Sequence, residues 1–424
     1  MKSETVHRTI DAVWRMESPK LIAALARMLR DLELAEELAQ DALVAAIESW
    51  PESGIPDNPG AWLMATAKRR AIDQLRRQQL LDRKHEQIGH DLLAEQSSGG
   101  SDFVDALDDP IGDDLLRLVF TACHPVLSKD ARVALTLRML GGLTTDEIAR
   151  AFLQPEATIA QRIVRAKKTL GAANVPFEVP RGEQLAERLA AVLEVLYLIF
   201  NEGYSATAGG DWMRPALCED ALRLGRVLAG LMPEQAEVHG LLALMEIQAS
   251  RSRARTGKDG EPVLLLEQNR ALWDRLAIRR GLAALERATR LGGADGPYAL
   301  QAAIAACHAR APTAADTDWA RIAALYAKLS TVAPSPVVEL NRAVAVAMAE
   351  GPGAGLALVD ALADEPSLRN YHLLPSVRGD FLARLGRDAE ARGEFERAAT
   401  LTRNERERAL LLERAAACVS DRSA

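Results

Sequence analysis

Apolar positions along this chain recur three and four residues apart and almost nowhere alternate. That spacing collects side chains on one side of an α-helix, whereas strict alternation would mark a strand. The pattern predicts helices over 5–16, 19–30, 32–49 and 59–84, with a Pro-rich loop from Pro51 to Pro59. Over residues 87–112 the period is lost, and Ser97-Ser98-Gly99-Gly100-Ser101 followed by Asp-rich sequence reads as a flexible linker. It returns over 113–171 and breaks between Val175 and Pro180. From about residue 183 it continues to the end as helical hairpins, interrupted by a Gly- and Asp-containing loop around Thr256–Pro262. The expected fold is all-α, in segments 3–86, 113–171, 183–290 and 291–424 around the 87–112 linker.

Within 113–171 one pair of helices carries a sharper signal. Thr144-Thr145-Asp146-Glu147 reads as a capping box, in which Thr144 accepts from the backbone three residues on and Glu147 reaches back. A short turn through Leu153–Pro155 leads to a second helix. On it Ile159, Ile163, Ala166 and Leu170 form one stripe, and Thr158, Gln161, Arg162 and Arg165 form the opposite one. An apolar back with a Thr/Gln/Arg front suits the DNA major groove, where Arg pairs with guanine and Gln with adenine. The bland reading is an ordinary amphipathic helix with a solvated basic face.

Charge changes the picture through its distribution. The net charge of −7 alone argues against a nucleic-acid partner. Yet Lys68–Lys84 holds seven basic residues against Asp73 and Asp82, and residues 91–114 hold eight acidic ones and no basic ones. Lys129–Leu170 returns to eight basic against four acidic. Two basic helical blocks joined by an acidic tether are a charge map rather than an average. Composition is otherwise that of a globular protein: 48% hydrophobic and 26% charged, with only 4% aromatic. No apolar run approaches the roughly 20 residues of a membrane span, and no leader pattern opens the chain, so a cytoplasmic protein without membrane contact is expected. Its four cysteines are scattered singly, and Cys123-His124 has no second pair at zinc spacing. Neither metal nor cofactor is expected.

At this point a family resemblance becomes specific. Leu143–Ala149, Thr158–Arg162 and Arg165–Lys168 resemble region 4 of extracytoplasmic-function (ECF) RNA polymerase sigma factors, the helix-turn-helix that reads the −35 promoter element. Leu153 stands where that family usually has a turn Gly, and Pro155 where it has a Ser cap. Ala35–Ala42 resembles sigma region 2.2, an acidic helix that docks on the clamp helices of the largest polymerase subunit. Asp31 is placed to cap this helix, with Leu34, Leu38 and Ala42 inward and Glu33, Glu36, Glu37, Gln40 and Asp41 outward. Ala61–Arg77 resembles regions 2.3–2.4, which hold the opened −10 strand; Leu63, Ala67, Ala71 and Leu75 face the core, and Arg69 sits where many relatives carry Asn. The resemblance implies polymerase contacts at Glu36, Glu37, Gln40 and Asp41. It implies −10 contacts at Trp62, Lys68, Arg69, Arg70, Arg76 and Arg77, and −35 contacts at Thr158, Gln161, Arg162, Arg165 and Lys168. Trp62 is equally readable as a core anchor.

Residues 183–424 exceed what a minimal sigma factor needs. Leu196–Tyr204, with Phe120–Pro125 inside region 4, resembles the subgroup that carries long C-terminal extensions. Gly351, Ala354 and Ala363 are matched 35 residues later by Gly386, Ala389 and Ala398, near the tetratricopeptide period, and a helical repeat of that kind implies a concave face for a protein partner. A plain helical bundle is the alternative. No catalytic constellation is present: His239, His308 and His372 are isolated, and Glu202 beside its aromatic neighbours reads better as a buried structural carboxylate than as an acid–base group. The expected function is therefore a sigma factor engaging core RNA polymerase and promoter DNA, with a regulatory extension. Two alternatives remain: a stand-alone helix-turn-helix regulator, and an enzyme with its activity in 183–424.

Overall fold

Helices account for nearly all of the regular secondary structure in this computed structural model, whose described residues are 2–89, 111–258 and 260–420. It divides into two compact units, 1–195 and 196–424. The 87–112 linker expectation falls almost wholly outside the described residues.

In the first unit α1 (Lys2–Leu29), α2 (Leu32–Ser53) and α3 (Pro59–Gly89) pack together. Asp31 caps α2 as its sequence position predicts, accepting from the backbone N–H of Glu33 (2.9 Å) and Leu34 (3.1 Å). Asn58 does the same for α3, accepting from Ala61 (3.0 Å). The pattern predicts two helices before residue 30, but α1 runs straight through Pro19. A proline inside a helix removes one backbone bond and costs about 3 kcal/mol. Here Ile10 and Val13 before it, and Leu21, Ile22 and Leu25 after it, are all buried, which holds both halves of the rod in place.

Continuing in the same unit, α4 (Ile111–Ala122), α5 (Lys129–Met139), α6 (Thr145–Ala151) and α7 (Glu156–Ala172) enclose a core that includes Leu118, Phe120, Leu135 and Leu137. This second bundle packs on the first mainly through α1 and α4. Arg27 pairs with the nearly inaccessible Asp114 at 3.0 Å. Gly142, at φ +70°, sits so close to α1 that a side chain there would meet Ser18 and the Arg15 backbone. The first half of α8 (Glu183–Tyr204) closes the unit: Arg188 donates to the Phe120 carbonyl (2.9 Å), and Glu194 pairs with Lys129 (2.5 Å) and Arg132 (3.4 Å). The stretch 113–171 therefore does not stand alone; α8 completes it.

The second unit is a succession of helices: α9 (Pro215–Leu231), α10 (Ala236–Ala249), α11 (Arg275–Arg290), α12 (Pro297–Arg310), α13 (Trp319–Val332), α14 (Pro336–Glu350), α15 (Pro352–Asp360), α16 (Leu373–Arg384), α17 (Asp388–Leu401) and α18 (Glu405–Ser420). The sequence shows no convincing sheet, and the structure has a minimal one. β1 (Ala208–Gly209) runs parallel to β2 (Arg403–Asn404), and the buried Asn404 amide donates to the carbonyls of Ala206 (3.0 Å) and Asp211 (2.8 Å). This clasp ties the two ends of the unit together. The repeat-matched glycines do not sit where helices approach closely. Gly351 (φ +104°) and Gly386 (φ +73°) end helices in the left-handed region, with open space around them. Close helix approach is made instead at Gly355, against Ala343, Ala347 and Phe381, and at Gly379, against Phe395. Of the matched alanines, Ala398 is buried but Ala363 is exposed in a turn.

Candidate nucleic-acid interface

The capping box predicted for α6 is complete. Thr144 Oγ accepts from the Glu147 N–H at 3.1 Å, and Glu147 Oε2 accepts from the Thr144 N–H at 2.8 Å. The chain then turns at Leu153, whose φ of +49° is a left-handed conformation that a β-carbon disfavours. This is the position where the turn Gly is replaced. Pro155 precedes the first residue of α7 and offers no side-chain cap. The buried residues of α7 are Ile159, Ile163, Ala166 and Leu170, the predicted stripe. Thr158, Gln161, Arg165 and Lys168 are exposed, whereas Arg162 is half-buried and paired with Asp130 at 3.5 Å. Thr158, Gln161, Arg162 and Arg165, together with Val126 and Ser128 ahead of α5, border a groove of about 350 Å3 along the front of α7.

On α3, Leu63, Ala67 and Ala71 are buried while Leu75 is only partly so. Arg69, Arg76 and Arg77 are exposed, and Lys68 and Arg70 are half-buried. Trp62 sits edge-on against the buried Trp50, ring centroids 5.4 Å apart, and keeps part of its surface open. An indole held in this way is both an anchor and an accessible aromatic edge.

The acidic helix α2 departs from its pattern at one residue. Glu33, Glu37 and Asp41 are exposed and Gln40 half-buried, but Glu36 is only 5% exposed. Its carboxylate accepts from Arg138 of α5 at 2.5 Å, from Lys167 of α7, and from its own helix neighbour Gln40 at 2.8 Å. Burial alone would raise the Glu36 pKa; the two cations outweigh it and hold the carboxyl below its ordinary value. A second bridge, Arg15 to Glu147 at 2.6 Å, joins α1 to the capping box. Glu36 is thus turned inward by groups about a hundred residues away, which no helical period reveals. Asp41 in turn pairs with Arg70 of α3 at 3.3 Å.

Family comparisons agree with this geometry. Residues 13–80 match the sigma-70 region 2 model and residues 117–170 the sigma-70 region 4 model. SigK of Mycobacterium ulcerans, an ECF RNA polymerase sigma factor, is 30% identical over 156 residues, covering 36% of this chain and 78% of that protein. The chain belongs to the ECF sigma factor family. SigM of Bacillus subtilis, from the same family, is 29% identical over 167 residues, covering 39% of this chain and 94% of SigM. An uncharacterized protein of Rhizobium meliloti is 44% identical over 403 residues, 95% of this chain and 94% of that one, so the long extension is shared. Within the sigma factor, region 2 takes in most of α1–α3 and region 4 most of α4–α7, the two modules that bind core polymerase and promoter DNA in this family. Residues 188–289 match a family of unknown function that begins inside α8 and ends in α11.

In the extension, Glu202 forms an ion pair with Arg214 and accepts from the Thr207 N–H at 3.3 Å. That is a structural clasp. No helix among the described residues is long and apolar enough to cross a membrane.

Proposed function

We propose that this sigma factor directs promoter-specific initiation with α7 reading the −35 element, α3 and Trp62 holding the −10 strand, and the exposed face of α2 docking on core polymerase. The observation that carries the reading is α7 itself: a buried Ile159/Ile163/Ala166/Leu170 back beneath an exposed Thr158, Gln161, Arg165 and Lys168 front, led in by a capped α6. Arg165 and Lys168 are free to meet phosphate or base edges, and Arg162 joins them by exchanging Asp130 for DNA. On α3, Arg69, Arg76 and Arg77 offer the phosphate-neutralising arc with Lys68 and Arg70 behind it. On α2, Glu37 and Asp41 present the acidic docking charge, with Gln40 beside them, and such charge favours fast, salt-sensitive encounter.

Glu36 acts in this scheme as a latch. While Arg138 and Lys167 hold it, regions 2 and 4 stay together, and its carboxylate reaches polymerase only when α5 and α7 move away. The extension, covalently continuous with the sigma modules along α8, sets their competence in response to a partner. Promoter-selective transcription reconstituted with core polymerase tests the central claim. Transcripts starting at a defined promoter only when the chain is added are the expected result; duplex binding without any stimulation of core polymerase would favour a stand-alone regulator.

A further inference from the structure

The second unit holds a cavity of about 440 Å3 between the last turns of α8 and helices α10, α12, α13 and α14. This is the size range of small-molecule sites, which are mostly apolar with a few convergent polar groups. Phe200, Leu244, Ile304, Leu329 and Val337 supply the apolar wall. Among the lining residues Arg251 is the single charged side chain; no Asp or Glu borders the space.

Arg251 donates only to neutral groups, the Tyr204 hydroxyl and the Gln248 side-chain oxygen. Two more guanidinium groups crowd it. Arg255 lies 3.6 Å over the Tyr204 ring that Arg251 also faces, and Arg270 shares the Trp273 ring with it. Arg255 donates to the Tyr204 carbonyl (3.0 Å), and Arg270 to the Ala311 carbonyl (2.7 Å) and the Thr317 hydroxyl (3.2 Å). Asp316 acts on Arg270 from beyond ion-pair distance. Buried charges are normally paired, because the desolvation of an uncompensated ion is severe. Elsewhere in the same unit the rule is kept: the buried Glu246 carries both Arg226 (2.7 Å) and Arg280 (3.0 Å). Arg255 and Arg270 are buried and Arg251 half-buried, and the cluster departs from that rule.

A second, independent observation points into the same space. His308 lines the cavity, is only 8% exposed, and its Nδ1 has no hydrogen-bond partner. The ring stands edge-on to Trp319, centroids 5.1 Å apart. Burial, with Arg251 and Arg270 nearby, pushes its pKa down to about 4 and leaves the imidazole neutral. Tyr197 and Tyr326 join Asn201, Gln301, Ser335 and Asn341 in the polar lining, and burial raises both phenol pKa values, to about 12 for Tyr326, so both stay protonated hydrogen-bond donors.

We propose that the extension binds a small organic acid in this cavity, its carboxylate on Arg251 and its apolar body against Phe200, Leu244, Ile304 and Leu329, with His308 Nδ1 meeting a polar group of the ligand. The site lies wholly within the second unit and does not depend on how α2, α3 and α7 engage polymerase and DNA.

Titration calorimetry on the full chain tests it with phenylacetate, indole-3-acetate and octanoate, each beside its neutral amide, and with inorganic phosphate as a bare anion. The expected result is one-to-one binding of at least one carboxylate below about 1 mM, about tenfold or more tighter than its amide, and lost in Arg251→Gln. Val338→Phe, which narrows the cavity without touching a charge, should also abolish binding, and it keeps the test decisive if the arginine variant does not fold. Arg287→Gln, at a surface pair with Glu234, should bind as the unaltered chain does. The proposal is overturned if no carboxylate binds at about tenfold that concentration, if amides bind equally, if phosphate alone binds, or if a folded Arg251→Gln or Val338→Phe binds unchanged.

Discussion

The two units treat buried charge in opposite ways. In the first, the Glu36 carboxylate is taken out of water together with Arg138 and Lys167, so a negative group is matched by cations from a different module. In the second, Arg251, Arg255 and Arg270 are gathered around Tyr204 and Trp273 with only neutral hydrogen-bond acceptors. A matched cluster holds parts of a protein in register, because separating them strands a charge. An unmatched one is stabilised by whatever anion arrives. The same physics therefore yields a latch in one place and a receptor site in the other.

The sharpest way to break this comparison is to remove one charge from each cluster. Glu36→Ala leaves Arg138 and Lys167 facing each other, and losing one member of a buried pair costs about 3–5 kcal/mol. Hydrogen exchange should rise across the contact between α1 and α4–α6. Arg251→Met should change the stability of the second unit by less than about 1 kcal/mol, since relief of repulsion offsets two lost hydrogen bonds. Equal losses at both sites would mean that the arginine cluster is matched after all.

The next effect is a pH dependence confined to the second unit. A histidine in an unfolded chain takes up its proton near pH 6.5, whereas folded His308 does so at about 4. Between those values the unfolded state binds more protons, so stability falls as pH drops from about 6.5 towards 4, by roughly 3 kcal/mol at most. Exchange protection of α12 should weaken over that window, and His308→Asn should flatten the dependence. Glu36 follows the same protonation logic and sign, although its favoured form is charged rather than neutral: its lowered carboxyl pKa contributes stability above the ordinary carboxylate range and loses it as acid titrates the folded group. That window lies lower, so the second unit should loosen before the latch does.

These differences also show what a linear pattern can carry. The α7 stripe, the Asp31 cap and the Thr144–Glu147 box were readable because each is a local relation within one turn or two of helix. Glu36 was misplaced because its partners Arg138 and Lys167 lie far along the chain, and a half-polar helix face does not announce what covers it. The two helices predicted over 5–16 and 19–30 are one, because packing on both sides of Pro19 keeps α1 continuous through it. The cavity was legible only in fragments: Leu196–Tyr204 stood out as an aromatic cluster and His308 as an isolated histidine. Their convergence with Arg251 and Tyr326 is a product of helix stacking, not of spacing.

Within region 4 the comparison predicts unequal roles for two neighbouring arginines. Arg165 is exposed, and Arg165→Ala should cost about 1–3 kcal/mol of promoter binding at the −35 end. Arg162 must first leave Asp130, so Arg162→Ala should cost less at moderate salt. Promoter occupancy by footprinting with reconstituted polymerase measures both; equal losses would indicate that the Asp130 pair is without consequence.

The smallest effect concerns the turn that aims α7, and through Lys167 the latch as well. Leu153 adopts φ +49° and is 52% exposed, so its side chain contributes little packing while its backbone is strained. The left-handed conformation costs a residue with a β-carbon about 1–2 kcal/mol. Glycine removes that strain but surrenders roughly 0.5–1 kcal/mol of chain entropy on folding. Leu153→Gly should therefore stabilise the first unit by about 0.5–1 kcal/mol, visible as a small rise in melting temperature. If the relaxed turn also lets α7 tilt, Lys167 draws away from Glu36, and exchange at the contact between α1 and α4–α6 should rise even as α6 and α7 become better protected. A gain in stability with that contact unchanged would show that the latch is set by the packing of α1 on α4 rather than by the angle of the reading helix.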